Sequence, residues 1–142
     1  MKKTVKSLIS TCLALVFIVC LTACGVADSN DVWASATYRQ DTAFGEGAKT
    51  ITVEVKAQET TVVFTVKTDK STVGEALIEH NLIEGEESQY GLYVIKVNGI
   101  TADYDVNQSY WAFYIDGEYA LSGVDTTEIA EGVTYHLEYT KG

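Results

Sequence analysis

A chain of 142 residues, 46% of them apolar, can build one ordinary core and is too short for several. Twenty carboxylates against ten lysines and arginines leave a formal charge of −10. Such a surface repels polyanions, so nucleic acid and anionic lipid headgroups are excluded as partners.

Lys2, Lys3 and Lys6 precede a 14-residue apolar run at 8–21, broken only by Ser10, Thr11, Cys12 and Cys20. A transmembrane helix needs about 20 apolar residues. The shorter run predicts a secretory signal peptide over 1–23. Leu21-Thr22-Ala23-Cys24 resembles the bacterial lipobox. That resemblance implies diacylation of the Cys24 sulfur, cleavage before Cys24, and a lipid-anchored protein on the extracytoplasmic face of the bacterial cell membrane. Each buried methylene contributes about 0.8 kcal/mol, so two long chains anchor stably without help from surface charge. Cys12 and Cys20 leave with the leader and Cys24 carries the lipid, which leaves no disulfide and no thiolate metal site. The expected mature chain keeps all the carboxylates and loses three lysines, for a formal charge of −13.

Residues 24–48 read as the acylated terminus and a flexible tether, polar at Asp28-Ser29-Asn30-Asp31 and again at Gly45-Glu46-Gly47. A regular domain is expected over 49–142. Ile51, Val53 and Val55 alternate with Thr52, Glu54 and Lys56, and Val62, Phe64 and Val66 repeat the pattern, so 50–68 reads as a hairpin. Thr72 and Glu75 have capping-box spacing, and Val73, Ala76, Leu77 and His80 follow on one helical face. An acidic loop is expected over 84–89, then a strand over 92–97 ending at the Asn98-Gly99 turn. Strands at 110–115 and 118–121 flank Asp116-Gly117, a strong hairpin signal because both residues tolerate positive φ. The last strand runs over 133–139. Two strands, one helix, then several strands predict an α+β, β-grasp-like fold: a mixed sheet of about five or six strands around one helix.

Catalytic signatures are nearly absent. His80 and His136 are the two histidines, and neither lies in a recognisable motif; the expectation is a non-enzyme that requires no cofactor. Asp103, Asp105 and Asn107 copy the first three ligand positions of a calcium loop, but Gln108 and Tyr114 occupy its glycine and glutamate positions, so a solvated turn is the better reading. Eight aromatics crowd residues 90–119. Strand alternation puts Trp111, Phe113 and Ile115 on one face and Tyr114 on the other.

Gln89-Tyr90-Gly91-Leu92-Tyr93-Val94, Val97-Asn98-Gly99, the run from Tyr110-Trp111 through Asp116-Gly117 to Tyr119, Ser122-Gly123-Val124 and Glu131-Gly132-Val133 resemble bacterial domains related to the C-terminal β-domain of transcobalamin and intrinsic factor. The resemblance spans about residues 50–141. It implies a β-grasp-like fold and a corrinoid, cobalamin, as candidate ligand. Those carriers hold the corrin between this β-domain and a helical barrel; no barrel is read in this sequence, so half a site at most is expected. The expected contact patch is Trp111, Tyr114, Leu121, Gly123 and Val124. The alternative is a module that docks another surface protein through a sheet edge or the same aromatics.

Overall fold

The two longest strands follow directly from alternation. The computed structural model describes residues 30–142; the expected signal peptide, Cys24 and the start of the tether lie outside the described residues. In β2 (Lys49–Ala57) Ile51, Val53, Val55 and Ala57 are buried, and in β3 (Thr60–Thr68) Val62, Phe64, Val66 and Thr68 are buried. The two strands pair antiparallel over nine positions, so one inward face is shared. Burying each of the valine, isoleucine and phenylalanine side chains contributes about 1.5–3 kcal/mol.

The helix α1 (Val73–Glu79) starts where its capping box predicts. The Glu75 N–H donates to Thr72 Oγ1 at 3.2 Å, and Glu75 Oε2 accepts from the Thr72 and Ser71 N–H groups, both at 3.2 Å. Val73, Ala76 and Leu77 enter the core. His80 instead forms the C-cap, with its ring 4.9 Å from that of Phe44. The backbone donors of Thr72 and then Ser71 hold the Glu75 carboxyl below its ordinary value of 4.5. A lowered carboxyl stabilises the fold above the unfolded value, and the contribution disappears as pH falls through the folded one. Acidification from about pH 6 to about pH 3 is therefore expected to lower the melting temperature of the wild type more than that of Glu75→Gln.

The remaining elements are β1 (Thr42–Gly45), β4 (Ile83–Ser88), β5 (Gly91–Val97), β6 (Ile100–Thr101), α2 (Tyr104–Asn107), β7 (Ser109–Ile115), β8 (Glu118–Tyr119) and β9 (Thr134–Lys141). The fold is α+β with mixed sheets. Six strands form one sheet in the order β1-β3-β2-β9-β7-β8, and β4-β5-β6 form a second, three-stranded sheet. Within the larger sheet β1 runs parallel to β3 and β2 parallel to β9; the other pairings are antiparallel. The expectation of a single sheet missed this division. The acidic stretch 84–89, expected as a loop, is mostly strand β4: only Ile83 of its six residues is buried, so its sequence carries no apolar period, and its pairing to β5 makes it a strand.

Residues 32–48, expected as tether, join the domain. Trp33 is buried and donates its indole N–H to the Ala57 carbonyl at 2.8 Å, and Tyr38, Phe44 and Phe64 form an aromatic cluster. The Asn98 side chain clamps this segment, accepting from the Tyr38 N–H at 2.9 Å and donating to the Tyr38 carbonyl at 2.8 Å. Among the described residues no helix is long and apolar enough to cross a membrane.

Candidate functional site

The larger sheet covers the core with one face and leaves its other face open at the β2–β9–β7 strands. Register places Tyr114, His136 and Glu54 side by side across β7, β9 and β2, with Glu138 and Lys56 in the next row. A hollow of about 520 Å3 is lined by Tyr114, His136, Glu54 and Glu138, together with Thr134 and with Asp116 and Gly117 of the β7–β8 turn. That turn is tight, with φ of 48° at Asp116 and 84° at Gly117, as the Asp-Gly pair predicts.

His136 lies between two carboxylates in this lining. Its Nδ1 lies 3.3 Å from Glu54 Oε2 and its Nε2 lies 3.3 Å from Glu138 Oε2. An ionised carboxylate only accepts, so the ring makes both hydrogen bonds when both nitrogens carry protons. The Tyr114 ring meets the imidazole edge to face at 5.6 Å, and Lys56 reaches Glu138 Oε1 at 3.4 Å. Asp116 Oδ1 accepts the Thr134 N–H at 2.9 Å. This arrangement offers hydrogen-bond acceptors on a half-buried floor beside an aromatic wall.

The wall continues onto the hairpin. Tyr114 and Tyr119 are cross-strand partners with rings 5.5 Å apart at nearly a right angle. Tyr119 is 62% exposed and Leu121 is fully exposed. Leu121, two positions after Tyr119 in the chain, adds exposed apolar area to an acidic surface.

Of the five residues expected as a ligand patch, the structure keeps three accessible. Tyr114 and Gly123 are half-buried and Leu121 is exposed. Trp111 and Val124 are corrected: both are in the core, at 8% and 2% exposure. Trp111 shares the inward face of β7 with Phe113 and Ile115, and its indole N–H donates to the Ile100 carbonyl at 3.2 Å. Val124 is buried because its loop crosses the start of α1, where helix N–H groups lack intrahelical acceptors. The Val124 carbonyl takes the Gly74 N–H at 2.8 Å and the Thr127 carbonyl takes the Val73 N–H at 2.9 Å. Gly123 is part of the same turn, its carbonyl accepting from Thr127 Oγ1 at 2.7 Å.

His136, Glu54 and Glu138 were not foreseen as a group. Only the parallel pairing of β2 with β9 brings Glu54 to a histidine 82 positions away. The alternation of His136 with Tyr135 and Leu137 was the available signal that it faces outward.

Two of the three residues that copy a calcium loop, Asp103 and Asn107, are engaged in local hydrogen bonds. Asp103 caps α2, accepting the Asp105 and Val106 N–H groups at 3.0 and 3.3 Å, and Asn107 Oδ1 accepts the Ser109 N–H at 3.1 Å. Among the described residues no group of three or more His, Cys, Asp or Glu side chains is placed to hold a metal ion.

Comparison with solved structures finds a protein from Ruminococcus gnavus, provisionally described as metal binding, at 35% identity and a TM-score of 0.63, covering 67% of this chain and 99% of that one. Haptocorrin in complex with Cbi superposes at a TM-score of 0.53 with 19% identity. That match covers 69% of this chain and 26% of haptocorrin, and the likeness is one of fold. No curated protein matches the sequence. The model of the family described as Domain of unknown function (DUF4430) matches residues 70–141. With half the chain inside that match, and a solved relative at 35% identity spanned almost end to end, the protein belongs to the DUF4430 family.

Proposed function

We propose that the protein is a non-catalytic, lipid-anchored binding module at the bacterial cell surface, with a β-grasp-like domain that takes a small ligand, a corrinoid being the candidate. The observation that carries the reading is the hollow around His136 with Tyr114 in its lining, Tyr119 packed on Tyr114 across the β7–β8 turn, and the exposed Leu121 two residues further along the chain. A flat macrocycle with peripheral amides needs both parts. Its apolar area lies against the tyrosines and leucine, and its amide N–H groups meet Glu54, Asp116 and Glu138.

The comparisons support this reading in two ways. Haptocorrin is solved with Cbi, cobinamide, and the R. gnavus protein is provisionally described as metal binding. A corrinoid satisfies both descriptions, because the macrocycle brings its own metal and needs no cluster of protein ligands. The reading as a non-enzyme rests on the sequence, which places neither histidine in a catalytic motif.

The full-length protein in neutral detergent, titrated with cobinamide and followed by amide and tyrosine NMR shifts, tests the ligand. Shifts are expected at Tyr114, Tyr119 and Leu121, with weak dependence on salt, since no phosphate counterions are released. One face of a two-part site should bind in the millimolar range, about −4 kcal/mol. Leu121→Ser should weaken binding without moving the melting temperature. Silence of these residues at millimolar cobinamide would rule the corrinoid out for this chain alone.

Anchoring rests on the lipobox resemblance at Cys24. Cys24→Ala is expected to accumulate as an uncleaved precursor that takes up no fatty-acid label in cells. Persistent labelling of that variant would refute the anchor.

A further inference from the structure

The smaller sheet has a surface that the ligand reading does not use. A hollow of about 430 Å3 opens between β4, β5 and α2, lined by Glu86, Tyr93, Ile95, Tyr104 and Asp105 among others, with no lysine or arginine in its lining. Glu86 and Tyr93 are direct cross-strand partners, so both project from the same face. Tyr93 and Tyr104 are about half exposed. Asp103 is engaged in capping α2, but among the described residues the carboxylates of Glu86 and Asp105 have no hydrogen-bond or ion-pair partner.

Beside the hollow, β4 is an outer strand of its sheet, and all of it after Ile83 is exposed. An open edge is a template for another strand. Its charges decide which strand it accepts. A second copy of this chain would set Glu84, Glu86 and Glu87 against the same acids, and like charges in cross-strand positions destabilise pairing. Lys96 answers only Glu84, at 3.2 Å. A basic strand meets none of this repulsion.

We propose that this face docks a basic, extended segment of a partner protein. The segment adds to the free edge of β4, and one lysine or arginine side chain enters the hollow. Backbone hydrogen bonds supply a sequence-independent part of the affinity, and the side-chain pocket sets the register. A cation there lies between two carboxylates and against tyrosine rings, both of which attract it. The site is separate from the hollow around His136, so either can fail alone.

The test titrates the full-length protein in neutral detergent with a capped peptide of alternating lysine and valine, and with its glutamine–valine counterpart. Amide shifts are expected over residues 84–88 and at the Tyr93 and Tyr104 rings. The lysine peptide should bind roughly tenfold tighter than the glutamine peptide. Tyr104→Ala and Glu86→Gln should each weaken it several-fold, with Tyr93→Ala replacing the first if that variant fails to fold. Glu131→Gln, a charge change elsewhere on the surface, should leave it unchanged. Equal binding of the two peptides would overturn the proposal. So would an effect of Glu131→Gln as large as that of Glu86→Gln, which would mark net charge alone, or shifts confined to Tyr114 and His136.

Discussion

Trp111→Ala is expected to destabilise the protein by about 3–5 kcal/mol, the cost of emptying a large buried site. That is a major share of the roughly 5–15 kcal/mol that holds a domain folded. The indole is 8% exposed, stands edge to face on Tyr139 with centroids 5.6 Å apart, and donates to the Ile100 carbonyl. Truncation leaves a cavity and a carbonyl without its donor. Thermal melting followed by circular dichroism reads the effect. Trp111→Phe restores most of the volume but not the hydrogen bond, so it should fall between wild type and alanine. A Trp111→Ala protein that melts with the wild type would remove Trp111 from the core.

The second large effect is Leu77→Ala, expected to cost about 2–5 kcal/mol because Leu77 is completely buried on the inner face of α1. Ile78→Ala is the matched control. It changes the next residue of the same helix by a similar amount, at 48% exposure, and should cost well under half as much. Glu79 serves less well as a control, because its Oε2 accepts from Thr68 Oγ1 at 3.1 Å. Equal shifts in melting temperature for Leu77→Ala and Ile78→Ala would place the helix in a different rotation on the sheet.

The corrected ligand patch shows how a local reading fails. Trp111 and Tyr114 are three positions apart on one strand, so alternation puts them on opposite faces. Aromatic content alone could not say which face meets solvent. The pairing of β7 with β9 decides it: Phe113 lies opposite the buried Leu137, whereas Tyr114 lies opposite His136 on the open side. Val124 fails for another reason. It sits in a loop, and its burial comes from covering the helix start through the bond between its carbonyl and the Gly74 N–H.

Features whose physics is local were legible in the sequence by itself. The Val/Ile alternation of β2 and β3, the Thr72–Glu75 box, and the Asn98-Gly99 and Asp116-Gly117 turns each depend on residues a few positions apart. Tertiary structure alone decided the rest. Glu54 and Glu138 converge on His136 through a parallel pairing, β1 joins β3 in parallel register, and Asn98 closes on Tyr38 across 60 positions. In each case the partner is distant in sequence, and its identity depends on which strand lies alongside. A hydrophobic period records that a face is buried, but it carries no information about what is on the other side.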